Sequence, residues 1–171
     1  MEKDMIKIPR PEVETLIREL GLSPLPGEGG MSFQTYLSEK KIGEEPGGTA
    51  IYYLLTGKAY SHLHRLTGDE VYHFYLGDPV ELTELLPDGT AKTTVLGHDI
   101  LGGQKVQHVV PAGHWQGSCL AEGSSWALMG TTMCPGYTDE CYEHGEKEAL
   151  LEQYPQAKDA IEQLTGDPIY E

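Results

Sequence analysis

The sequence predicts an all-β fold, an antiparallel sandwich or barrel closed as a jelly roll, with short helices at the N- and C-terminal ends. Three observations predict it. From Met31 onward, short runs rich in Val, Ile, Thr and Tyr recur between Gly, Pro and Asp turn signals. These runs, about nine of them, follow one another without the helical segments that a parallel α/β sheet would need between strands. Nothing repeats at a fixed period, which excludes a solenoid or propeller. With 171 residues, 39% of them hydrophobic, the chain is expected to form one domain with a full-sized core.

The elements follow in order. Pro11 can open a helix, and Val13, Leu16, Ile17 and Leu20 recur at helical spacing before Gly21, so a helix is expected over about 11–20. Leu22 to Gly30, LSPLPGEGG, concentrates Pro and Gly and reads as an irregular connector within the domain. The barrel is expected over about 31–134, with strands near 33–38, 50–55, 59–65, 70–76, 80–86, 91–95, 107–111, 115–120 and 126–133. Asp88-Gly89 between two alternating runs signals a β-hairpin. After Pro135 strands are expected to stop, leaving a helical tail over about 142–165 that Pro155 divides in two.

Charge narrows the function. Acidic residues outnumber basic ones 27 to 12, a net charge of −15 that repels phosphate backbones and anionic lipid. Neither nucleic acid nor a membrane is an expected partner. No apolar run approaches the ~20 residues of a membrane helix, and the start MEKDMIKIPRPEVE is charged where a signal peptide would be apolar. Cys119, Cys134 and Cys141 are odd in number and read as free thiols, so a cytoplasmic location is expected. The glycines of PGEGGMS do not complete a dinucleotide fingerprint, and phosphate-loop, nucleophile-elbow and CxxC signatures are absent from the sequence.

One constellation carries chemistry. His62 and His64 lie two apart in AYSHLHRL, which on a regular strand points both imidazoles to one face. A turn after Leu66 would bring Glu70, at the start of the next strand, opposite them. Two imidazoles and a carboxylate are a familiar ligand set for Fe, Mn, Ni or Zn. Alternation places Tyr72 and Phe74 on the face of Glu70, as an aromatic wall to a ligand pocket or as plain core. His73 and Trp115 have the opposite parity and are expected outside. Arg65 is expected in a surface or interface ion pair.

These residues also carry a resemblance. SHLHRLTGDEVYHFYLG resembles the first cupin motif, and GGQKVQHVVPAGHWQ resembles the second, with Pro111 and Gly113 matching and Gln116 standing where the fourth ligand is usually a histidine. Together with EGGMSF, TAIYYLLTG, LGHDILGG and TMCPGY, these blocks are similar in content and order to the cupin-5, or DUF985, family, over about residues 13–164. The resemblance implies a double-stranded β-helix and a homodimer, and it implies no particular reaction.

Carried over residue by residue, it makes His62, His64, Glu70 and Gln116 candidate ligands of one divalent metal in the barrel pocket. Glu70, Tyr72, Phe74 and Gln116 become candidate contacts to a small-molecule ligand. Two departures bear on the metal: five residues separate His64 from Glu70, more than the superfamily usually has, and a Gln oxygen is a poorer ligand than imidazole. The alternatives are a metal-independent epimerase or isomerase on a sugar-nucleotide-like substrate, with His64 as base and Tyr72 as proton donor, or a binding module without catalysis.

Overall fold

The computed structural model describes residues 10–171, so most of the charged start weighed against a leader peptide, residues 1–9, lies outside the described residues. Helix α1 (Val13–Leu20) is followed by strands β1 (Ser23–Pro24), β2 (Met31–Leu37), β3 (Lys41–Ile42), β4 (Glu45–Pro46), β5 (Thr49–Thr56), β6 (Tyr60–Leu66) and β7 (Glu70–Gly77). Then come β8 (Val80–Leu85), β9 (Ala91–Leu96), β10 (Gln107–Val110), β11 (Trp115–Leu120) and β12 (Trp126–Met133). A 3₁₀ turn (Asp139–Cys141), β13 (Tyr142–His144), α2 (Lys147–Gln153), a second 3₁₀ turn (Pro155–Ala157) and α3 (Lys158–Gln163) close the chain.

Eleven of the strands form two antiparallel sheets packed face to face, one in the order β1-β2-β5-β12-β7-β10 and the other β13-β6-β11-β8-β9, while β3 and β4 pair with each other. From β5 to β13 the chain crosses from one of these sheets to the other at every connection except the β8-β9 hairpin, the jelly roll expected from the sequence. The Asp88-Gly89 hairpin forms, pairing Leu85 with Ala91, and Gly89 takes the positive φ (88°) that its turn demands.

Alternation sorts the side chains into layers. Facing inward, Tyr53, Leu55, Tyr72, Phe74, Val80, Leu82, Leu96, Val110, Ala127 and Met129 fill one part of the interior. On the outer side of the β6-β11-β8 sheet, Leu63, Leu85 and Trp115 are covered by Leu150, Tyr154, Ile161 and Leu164 from the C-terminal segment. Trp115 therefore lies outside the barrel, as its parity predicts, with the Arg65 guanidinium 4.5 Å above its ring and hydrogen-bonded to Glu143. Helix α1 covers Leu54, Trp126 and Leu128 on the outer side of the other sheet.

One expectation about the tail is corrected. Residues 142–144 are not helical: they form β13, an edge strand that pairs Tyr142 with Leu66 and His144 with His64. The segment is held by the open edge of β6, a tertiary partner that local periodicity cannot reveal.

Candidate active site

Where the inner side chains become polar, the two sheets enclose a cavity of about 400 Å³, within the range of small-molecule sites. His64, Glu70, Tyr72 and Thr131 form its buried wall, and Leu25, Ile51, Leu66 and Met133 add apolar surface. Exposed Gln34, Tyr137 and Asp139 mark its mouth.

The two histidines of AYSHLHRL do not share this space. Gln116 pairs with His64 and Ser118 with Ser61, so Gly117 alone stands opposite both His62 and Leu63. This β-bulge breaks the alternation that the spacing implied. Ser61 and His64 both reach Oε1 of Glu28, at 2.8 and 3.9 Å. His62 is not among the cavity-lining residues; its ring stacks on His144 at 3.8 Å, and its Nδ1 donates to the Leu63 carbonyl. Burial, aided by His144 and His64 and opposed by the Leu63 carbonyl, lowers its pKa below the usual imidazole value.

His64 is fixed on both sides. Its Nδ1 lies 2.7 Å from the His62 carbonyl, which can only accept, so Nδ1 carries the proton and the neutral ring presents a lone pair at Nε2, toward Glu28. Tyr142 on β13 stacks against the ring at 5.1 Å.

Glu28 comes from the connector, a segment in which sequence periodicity carries no information. The strap is held by backbone hydrogen bonds from His62 N–H to the Glu28 carbonyl (2.8 Å) and from Gly30 N–H to the Ile169 carbonyl (2.9 Å). The Tyr53 hydroxyl donates to the Gly29 carbonyl (2.8 Å). Gly29 sits at φ 97° with the Tyr60 carbonyl so near that a Cβ would lie 2.3 Å from it. The glycines that fail as a nucleotide fingerprint thus serve to press a carboxylate into the barrel; their density beside an acidic residue was the available signal.

Glu70 lies opposite, fully buried by strand β7, and its Oε2 has no hydrogen-bond partner among the described residues. Burial raises its pKa above the usual carboxyl value, and Glu28 adds to the rise, while His64, Thr131 and Gln116 nearby oppose it without cancelling it. Tyr72 lines the cavity and donates its hydroxyl to Oε1 of Gln116 at 2.9 Å. Burial first, then the neighbouring carboxylates, push the Tyr72 pKa far above the phenol value. With its proton held by both effects and its hydroxyl donated to Gln116, Tyr72 is a hydrogen-bonding part of the wall. Phe74 does not reach the cavity: it packs in the apolar interior, edge-on to His98 at 4.8 Å.

A second inward cluster escaped the sequence reading. Glu84, fully buried on β8, accepts hydrogen bonds from His108 (2.8 Å) and His114 (2.9 Å), with the Lys92 ammonium at 3.3 Å. Burial alone would raise its pKa; the two histidines and Lys92 outweigh burial and hold it below the usual glutamate value. A depressed folded-state pKa stabilises above the unfolded value, and the stabilisation is lost as pH falls through the folded one. Glu84→Gln is therefore expected to cost about 2 kcal/mol at neutral pH. The deficit in melting temperature should shrink in acid; a deficit independent of pH would refute the charge argument.

The metal-ligand set suggested by the motifs does not fit this geometry. His62 is turned to His144, and the Gln116 oxygen is taken by Tyr72. Among the described residues, no three His, Cys, Asp or Glu side chains are grouped to hold one ion. What the site does bring together is His64, Glu28 and Glu70 around open space.

The comparisons with known proteins fit this architecture. The family model described as "Cupin superfamily (DUF985)" matches residues 14–145. The chain belongs to that cupin family. A protein of known structure from Shewanella oneidensis is 32% identical, with a TM-score of 0.86 over 92% of this chain and 99% of its own. A hypothetical protein from Leishmania major is 29% identical, with a TM-score of 0.85 over 94% of this chain and all of its own (100%). The Bacillus subtilis oxalate decarboxylase, with Mn(II) centres, shares the fold at 15% identity and a TM-score of 0.55, over 87% of this cupin and 39% of the decarboxylase. No curated protein matches the sequence. The double-stranded β-helix is thus shown for this cupin, and among the described residues no helix is long and apolar enough to cross a membrane.

Proposed function

We propose that this cupin is an isomerase or epimerase that moves a proton on a carbon beside a carbonyl group in a monosaccharide-sized substrate. The observation that carries the reading is the cavity shared by an imidazole with an open Nε2 and a buried carboxyl whose Oε2 has no partner. His64 Nε2 takes the proton from the carbon, and the Glu70 carboxyl gives its own to the carbonyl oxygen, forming an enediol. The imidazolium and carboxylate so created carry opposite charges, and the Glu28 carboxylate lies 3.9 Å from Nε2. His64 then returns the proton to the neighbouring, former carbonyl carbon while Glu70 takes back a proton from the hydroxyl of the carbon first deprotonated, which completes an aldose–ketose type isomerisation; inversion at one carbon would need a second donor on the opposite face.

Burial supports the role of Glu70, because a raised pKa keeps the carboxyl protonated at higher pH than an ordinary glutamate. Of the sugar-nucleotide-like substrate expected from sequence, only the sugar is retained: among the described residues no Lys or Arg lines the cavity to meet a pyrophosphate.

Incubation with a panel of aldoses and ketoses in deuterated water should wash deuterium into one carbon of at least one sugar. No exchange with any of them would refute the reading. Tight uptake of Mn, Fe, Ni or Zn by purified protein, lost on His64→Ala, would replace it with a metal-dependent one.

We also propose a cytoplasmic homodimer. Phe33, Tyr36, Tyr75 and Val109 stand 41–56% exposed on the outer side of the β2-β5-β12-β7-β10 sheet, a face that α1 covers only at one end. Light scattering should return twice the 18.8 kDa chain mass, and Tyr75→Lys should weaken the pair; a monomer at micromolar concentration would refute it.

A further inference from the structure

The charge of the cavity goes beyond its shape. Glu28, Glu70 and Asp139 line it, while among the described residues no Lys or Arg does and His64 is the one imidazole. Elsewhere the fold supplies counter-cations where carboxylates cluster or pair. Glu84 has Lys92 and two histidines, Asp78 has Arg10, and Glu143 has Arg65. In the cavity the three carboxylates share one imidazole, His64, 3.9 Å from Glu28, and among the described residues no Lys or Arg joins it. Of the Glu28 carboxylate, only Oε1 is engaged among the described residues, by Ser61 and His64.

A group of acids is by itself a solvated surface, and Asp139 at the mouth is one. Glu70 is different: it is 8% exposed, lines the cavity, and its buried Oε2 has no partner among the described residues, an unmet hydrogen-bonding demand in the cavity wall. The lining also includes four phenol rings, Tyr53, Tyr72, Tyr137 and Tyr142, and aromatic rings attract cations.

We infer that the cavity selects a substrate bearing an ammonium group, an amino sugar, over its neutral or anionic counterparts. The amine lies against Glu28 and the tyrosine rings, and the sugar's carbonyl or hydroxyl oxygen meets Glu70. The chain's net charge of −15 works in the same direction, drawing cations toward the molecule and repelling phosphorylated sugars. This inference rests on the reading of the cavity as a sugar site and adds the charge of the sugar to it.

A panel built on one ring separates the two claims: glucosamine, glucose, N-acetylglucosamine, glucuronate and glucose 6-phosphate, each titrated calorimetrically into the full chain. Glucosamine should bind at least tenfold more tightly than glucose and N-acetylglucosamine, with glucuronate and the phosphate weaker still. The preference should fall as salt is raised. Glu28→Gln should remove the preference for glucosamine over glucose, with a circular dichroism spectrum and melting temperature showing that the variant is folded. Equal or tighter binding of glucose, or of either anion, would overturn the amine inference and leave the sugar site standing. An unchanged preference in folded Glu28→Gln would overturn the assignment of the ammonium to Glu28. Binding by no member of the panel would overturn both claims.

Discussion

Replacing His64 with Gln is expected to slow solvent exchange into a sugar substrate by about 10²–10⁴-fold, the range general-base groups contribute. The amide keeps a polar group near Glu28 but has no basic nitrogen. His62→Gln supplies the contrast. Its ring is stacked on His144 outside the cavity lining, so exchange should change only a few-fold even if stability falls. Comparable losses in both variants would favour the two histidines acting on one object, the reading that the bulge argues against. The pH profile adds a sign: the step needs Glu70 protonated, so the rate should fall as pH rises through a value above the usual carboxyl range.

Gly29→Ala is expected to destabilise the protein by about 2–5 kcal/mol, combining the left-handed backbone penalty with overpacking. The added methyl would sit 2.3 Å from the Tyr60 carbonyl, on the backbone of β6, where nothing flexible can yield. The strap must move, carrying Glu28 away from His64 and Ser61. Sugar binding should fail at temperatures where the variant remains folded. A variant that keeps wild-type stability would show that the strap has slack; full binding would show that Glu28 is dispensable.

The barrel was legible because its strands alternate and its turns are marked. Nine strand positions read from Val, Ile, Thr and Tyr runs all correspond to strands, and 115–120 and 126–133 match to the residue. Glu70 and Tyr72 were legible for the same reason, as inward positions on an unbroken stretch of β7. Phe74 shares their parity but sits farther along the strand, where the sheets close on apolar side chains. Parity sets the face and is silent about depth.

The bulge was not legible, because a two-residue spacing looks the same whether or not the strand is regular. Gly117, opposite the extra residue, was a trace of it: a Cβ there would lie 2.9 Å from the Ser61 carbonyl. Glu28 and Tyr142 were missed for a different reason. Each belongs to a segment held in place by tertiary hydrogen bonds, the strap and β13, and neither has a repeating pattern of its own.

The strap is also where the C-terminal residues of the described chain are buckled to the barrel. Gly30 hangs from the carbonyl of Ile169, and the Tyr60 hydroxyl grips that of Asp167, two positions earlier. The final residues are thus a brace behind the carboxylate that faces His64, and not loose string. Trimming them, or hauling on them with a bulky fusion, would reach the chemistry without touching a single group that performs it.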